Sequence, residues 1–214
     1  MDSAVVTRWW WVRHAPVVDA HLGRLSGQAD VDANVTDLKS FESLAPHLPK
    51  GAVWVLTHLK RSQQTAHALC RAGAERTNVR VEQVFVEQAF GDWTNKTWNE
   101  VGVTDQAQAF WNDPAHERPP GDGAESFDDV CRRVAPRIDQ ITHEYLGRDI
   151  VCIAHAGSIR AAVALALALT PEQALALDVK NTALTRLDFI SNEANLIGQG
   201  SWRVVGLNQL GVTT

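Results

Sequence analysis

The order of apolar and polar positions divides the chain into short blocks of two kinds. Four apolar runs predict strands over residues 8–13, 52–57 (AVWVLT), 79–87 (VRVEQVFVE) and 149–155 (DIVCIAH), each followed by polar or helical sequence. Helical periodicity fits residues 60–72, 125–146 and 158–169. Strands and helices therefore alternate through the middle of the chain, the pattern of an α/β protein whose mainly parallel sheet is covered on both faces. Near the end, ALTRLDFI and WRVVGL flank the polar segment SNEANLIGQG and predict a hairpin at a sheet edge. The Pro/Gly-dense insert WNDPAHERPPGDGAES, residues 111–126, predicts a loop bordering a pocket.

Composition narrows this picture. With 214 residues, 45% of them apolar, the chain suits one sizeable core, so a single domain over residues 1–214 is expected. The formal net charge of -5 provides no global positive field, which argues against nucleic acid and anionic membrane as partners and requires any anion to be captured locally. Cys70, Cys131 and Cys152 are odd in number, far apart and without a CxxC spacing, which argues against a disulfide framework or a zinc cage and fits a reducing cytoplasm. The first ten residues lack a basic segment followed by an apolar one, so no secretory leader is expected. The run AAVALALAL, residues 161–169, is roughly half the ~20 residues a bilayer requires and reads as a buried core helix.

The candidate chemistry lies where the strands stop. In WWWVRHAPV, residues 9–17, the tryptophans and Val12 favour a strand that Pro16 cannot continue, leaving Arg13 and His14 at its end. Ligands of open α/β sheets bind just outside such ends. Thr57 and His58 close the second run, Glu87 the third and His155 the fourth. Arg61 opens the helix after the second strand, where free N–H groups and the helix dipole favour an anion. Two guanidinium groups, two or three imidazoles and one carboxyl suit a phosphoryl group, whose equatorial oxygens match forked arginine donors. Each of these residues alone is most often structural or exposed, so the joint arrangement carries the reading. Arg8 is expected to face solvent. His21, His47, His67, His116 and His143 are assigned to surface or core roles, His67 to packing.

VRHAP, HLKRSQQTA, VEQAFGDW and AHAGSIRA, taken in this order and spacing, resemble the histidine phosphatase superfamily, also called phosphoglycerate mutase-like, across most of the chain. The segment FWNDPAHERPPGDGAESFDDVCRRV resembles the loop and helix of the phosphatase branch that includes α-ribazole-5'-phosphate phosphatases. The resemblance implies a three-layer α/β/α sandwich with a mostly parallel central sheet, no metal or other cofactor, and a phosphohistidine intermediate. It also implies a phosphomonoester hydrolase of the histidine acid phosphatase type, acting on a small phosphorylated metabolite. His14 becomes the nucleophile, Arg13 and Arg61 the phosphate clamp, His155 a donor to the phosphoryl oxygens, and Glu87 the acid and then the base. Phe85, Phe90 and Trp93 are expected to give Glu87 a partly buried setting, and Trp93 and Gly157 to contribute to substrate binding.

Departures from the family pattern carry information. Ala15 and Pro16 follow the nucleophile where a glycine and an acidic residue are usual, which stiffens the turn. Ala20 stands where the family often has an asparagine touching phosphate, and Ser26 or Gln28 in GRLSGQAD is a candidate replacement. QAFGDWTNKTW after Glu87 lacks the arginine and tyrosine of the mutase type, which favours phosphatase chemistry. Trp93, Trp98 and Trp111 form either an apolar pocket wall or core. A phosphoglycerate mutase and a non-catalytic phospholigand-binding module of the same fold remain the alternatives, and a homodimer stays open.

Overall fold

A computed structural model describes residues 4–191 and 200–210. The centre is a six-stranded sheet in the order β3-β2-β4-β1-β5-β6, formed by β1 (Val5–Arg13), β2 (Val53–Leu56), β3 (Asn78–Val81), β4 (Asp149–Ala154), β5 (Leu184–Ser191) and β6 (Gly200–Gln209). The first four strands are parallel, whereas β5 runs antiparallel to both β1 and β6. The hairpin expected at the sheet edge is thus present as β5–β6, and its polar connection, residues 192–199, lies outside the described residues.

Helices α1 (Leu38–Leu44), α2 (Lys60–Arg71), α3 (Trp98–Val101), α4 (Asp105–Asn112), α5 (Phe127–Glu144), α6 (Ala156–Leu167) and α7 (Pro171–Leu175) surround the sheet. Alternation along β4 shows how two layers form: Ile150, Cys152 and Ala154 pack with α5 and α6, while Val151 and Ile153 pack with α1 and α2. On α5, Phe127, Val130, Val134, Ile138 and Ile141 recur every three or four residues and form its buried stripe. The tryptophan run of β1 obeys the strand period. Trp9 and Trp11 share one face and stack at 5.0 Å, while Trp10 points the other way and donates from Nε1 to Asp149 at 3.0 Å. Among the described residues no helix is long and apolar enough to cross a membrane, and Ala161–Ala164 of the suspect run are core.

Several expectations need correction. The third strand ends at Val81, not at residue 87, and a 3-10 turn follows at Gln83–Phe85. The turn swings Phe85 against Trp9 and Trp11, with centroids at 6.1 and 5.3 Å, so tertiary packing overrides the local strand pattern. Two predicted helices are shifted or shortened, to Phe127–Glu144 and Ala156–Leu167. Trp111 and Asn112 complete α4 and do not belong to the loop that follows. The short helices α1, α3, α4 and α7 had no strong periodic signal, and side-chain caps at Asp37, Thr97, Thr104 and Thr170 start them. His67 is exposed on α2 rather than packed.

Candidate active site

The turn after β1 leaves little of its backbone unpaired. The Arg13 carbonyl accepts from the Thr182 amide at 2.9 Å, and the His14 amide donates to Ala154 at 3.0 Å. The His14 carbonyl accepts from the Asn181 side chain at 2.8 Å, and the Ala15 amide donates to the Thr65 hydroxyl at 2.8 Å. The Ala15 carbonyl takes the remaining bond, 2.6 Å from His14 Nδ1. A carbonyl only accepts, so Nδ1 carries the proton and the lone pair of the ring sits on Nε2.

The neighbouring strand ends on the same sheet edge hold the partners. His155 caps α6 at the end of β4, with its ring centroid 5.0 Å from that of His14. Thr57, at the end of β2, fixes His155 through a 3.0 Å bond between its hydroxyl and Nε2. Ser62 on α2 donates to the Ile153 carbonyl at 2.6 Å and accepts from the Thr57 amide at 3.1 Å, which joins β2 and β4 at the site. Arg61 is buried on the same helix and donates to the carbonyls of Ala29 at 2.7 Å and Gly27 at 2.5 Å, so it clamps the GRLSGQAD loop while keeping Nε without a partner. Arg13 donates to the Val179 carbonyl at 2.5 Å, and its Nε is likewise unpartnered, as is Nδ1 of His155. The Nε groups of Arg13 and Arg61 are two buried donors without acceptors, and His155 Nδ1 is a third when the Thr57 hydroxyl donates to Nε2; a tetrahedral oxyanion would satisfy them.

Glu87 reaches this group from a loop, not from a strand end. Its Oε1 accepts from the amides of Gln88 and Gly157, both at 3.0 Å, which places the carboxyl over the first turn of α6. A Cβ at Gly157 would fall 2.3 Å from that oxygen, so the glycine makes room for Glu87. Arg133 of α5 supports the same loop, donating to the carbonyls of Val86 at 3.0 Å and Glu87 at 3.1 Å.

Burial and charge set the protonation state. His14 is pushed down to about 3, first by burial, then by the Arg61 guanidinium and, less, by Arg13, against the opposing pull of the Ala15 carbonyl. His155 lies well below its ordinary value through burial, then His14 and both arginines. Burial also lowers both arginines, with Glu87 partly restoring them. Both imidazoles are therefore neutral at pH 7, and His14 presents a free lone pair.

A cavity of about 310 Å³ opens over Arg13, His14, Arg61 and Glu87, walled by residues 16–17 and 21–27 with Phe90 and Asn181. Ser26 stands in that wall. Gln28 does not; its amide donates to the Glu87 carbonyl at 3.0 Å and to Glu125 at 3.3 Å. Gly157 lies beneath Glu87, and His58 is exposed away from the wall. Trp93 is buried in a separate cluster with Val101, Ala107 and Phe110, and neither it, Trp98 nor Trp111 lines the cavity. Of the aromatics expected around Glu87, only Phe90 borders the cavity. Segment 111–126 contributes no wall residue and acts instead through Glu125, which braces Ala89 at 2.9 Å and Arg133 at 2.7 Å. The first amide of α2, expected to be free for an anion, is taken by Asp30 at 2.7 Å. His21, assigned to a surface or core role, is a wall residue, and Asn181 and Arg133 were not singled out because their partners are 167 and 46 residues away.

The chain is 31% identical over 165 residues to a bifunctional protein of Mycobacterium tuberculosis, an alignment covering 75% of this chain and 44% of that protein. It thus spans less than half the length of the mycobacterial relatives it matches. It is 28% identical over 161 residues to a metal-independent phosphoserine phosphatase of Arabidopsis thaliana, covering 73% of this chain and 67% of that one. The α-ribazole phosphatase structure from Shigella flexneri superimposes with a TM-score of 0.77 at 21% identity, covering 97% of this chain and 100% of its own, and shares the fold. Residues 9–200 match the description of one family along most of their length, and the chain belongs to the histidine phosphatase superfamily, branch 1.

Proposed function

We propose that this domain hydrolyses small phosphomonoesters through a phosphohistidine formed on Nε2 of His14. The supporting observation is the state of that ring: Nδ1 is bound to the Ala15 carbonyl at 2.6 Å, and burial, then the charges of Arg61 and Arg13, lower the pKa to about 3. In the first step the Nε2 lone pair attacks phosphorus in line, the ester P–O bond breaks, and Glu87 gives its proton to the departing alkoxide. In the second, a water transfers a proton to Glu87 and attacks phosphorus, the P–N bond breaks, and the electron pair returns to Nε2. Arg13, Arg61 and His155, whose Nδ1 carries the proton when Thr57 donates to Nε2, stabilise charge on the equatorial oxygens. The clamp and acid need no metal, and turnover is expected to be indifferent to EDTA.

The test is trapping. Radiolabelled phosphomonoester, quenched in alkali, should leave one acid-labile phosphate per chain in the wild type and none in His14→Ala. Wild-type p-nitrophenyl phosphate turnover by His14→Ala would end the proposal. A panel including α-ribazole 5'-phosphate, sugar phosphates, nucleotides and phosphoglycerates identifies the leaving group, and stimulation by glycerate bisphosphate would mark a mutase instead.

A further inference from the structure

The cavity holds more than a phosphate site. Beyond the groups assigned to catalysis, its polar wall consists of His21, Arg24, Ser26 and Asn181, set among Val17, Leu22, Leu25 and Phe90. Two of these four are already committed. Asn181 holds the His14 carbonyl through its amide at 2.8 Å. Arg24 donates from one nitrogen to the Asn95 carbonyl and to Glu100, both at 2.8 Å. His21 differs: its 3-10 turn, Asp19–His21, leaves Nδ1 buried and without a partner.

The charges of the lining can be summed. Arg13 and Arg61 together balance a phosphomonoester dianion, and Glu87 beside them adds no further positive charge. Arg24 is the third cation of the wall, but Glu100 already neutralises it. A second anion on the leaving group would therefore meet, beyond the phosphate clamp, no arginine or lysine of the lining that lacks a carboxylate partner, and would exchange its water for an arginine already shared with Glu100. A hydroxyl needs only one hydrogen-bond partner, which the His21 ring and the Ser26 hydroxyl can supply.

We infer that the leaving group is an uncharged, hydroxylated alcohol, held by His21 and Ser26 against Leu25 and Phe90, and that the Arg24–Glu100 pair excludes carboxylated phosphoesters. This rests on the phosphatase reading above and names its substrate class. Exclusion here works by leaving a wrong partner's charge unpaired, a difference in affinity built from a repulsive element as well as an attractive one.

Glycerol 3-phosphate and 3-phosphoglycerate share one skeleton and differ only in CH₂OH against carboxylate, so they isolate the claim. Their inhibition constants are measured against p-nitrophenyl phosphate turnover, with inorganic phosphate as reference. Glycerol 3-phosphate should bind at least about tenfold more tightly; equal binding, tighter 3-phosphoglycerate or no inhibition by either overturns the inference. Glu100→Gln retains a capping side chain for α3 but releases Arg24. It should tighten 3-phosphoglycerate about threefold to fivefold relative to glycerol 3-phosphate, the scale of an exposed ion pair. An unchanged ratio removes Arg24 and Glu100 from the account. His21→Ala should weaken glycerol 3-phosphate about two- to tenfold beyond any effect on inorganic phosphate; equal effects on both remove His21. Turnover that survives His14→Ala would sink the phosphatase reading itself, whereas His14-dependent turnover with equal binding of the two esters sinks only this inference.

Discussion

At the residue scale, the nucleophile owes its reactivity to two neighbours with different tasks. The Ala15 carbonyl chooses the tautomer, and burial with Arg61 removes the second proton. Losing His14 should abolish turnover, whereas Glu87→Gln should lower it by about 10²- to 10⁴-fold on alkyl esters, the usual worth of a general acid. That loss should be much smaller for p-nitrophenyl phosphate, whose leaving group needs no proton, and steady-state rates on the two ester types check it. Gly157→Ala tests the seat of the acid from below. Its Cβ would lie 2.3 Å from Glu87 Oε1, so the carboxyl must move. The variant should reproduce the Glu87→Gln selectivity, with alkyl esters slowed more than the aryl ester, in a protein whose circular dichroism remains native.

At the element scale, α2 is the organiser. Its buried side brings Arg61, Ser62 and Thr65 to three different segments: the loop at Gly27 and Ala29, the end of β4, and the turn at Ala15. The R-x-x-x-T spacing puts Arg61 and Thr65 one turn apart, and Thr65 returns its hydroxyl proton to the Arg61 carbonyl at 2.6 Å. The helix begins without a cap of its own, because Leu59 cannot supply one, and Asp30 reaches across from the clamped loop instead. Asp30→Ala should therefore cost about 1 kcal/mol, read as a lower urea midpoint at unchanged m-value, while Asp30→Asn should recover most of it. The helix and its RSQQT pattern were legible in the sequence. The source of its cap was not, since residues 30 and 60 meet only after the loop has folded back onto the site.

At the scale of the whole molecule, two neutral histidines lie buried where four parallel strands end, and this couples stability to pH. Both have folded-state affinities below the ordinary value of about 6.5, so between pH 6.5 and their depressed values the unfolded chain binds more protons than the native one. Stability is then full above pH 6.5 and is lost as the pH falls, at up to about 1.4 kcal/mol per histidine per pH unit. Melting followed from pH 7 to 5 should show that decline, and His155→Gln should flatten it by about half; an identical slope in that variant would refute the assignment. The sequence by itself determined the alternation of elements, the tryptophan strand and the presence of Arg13, His14, Arg61 and His155 at element boundaries, because strand and helix periods and proline's missing donor act within a few residues. It misplaced Glu87 at a strand end and offered Trp93 and Gln28 as ligand contacts. Those positions depend on Phe85 turning into the core, on a local cluster closing around Phe110 and on Glu125 capturing an amide. Only the tertiary structure decided which side chains share the cavity with His14, because Asn181 reaches it through a hydrogen bond to a residue 167 positions away and His21 through the path of the loop that follows β1, neither of which a local pattern encodes.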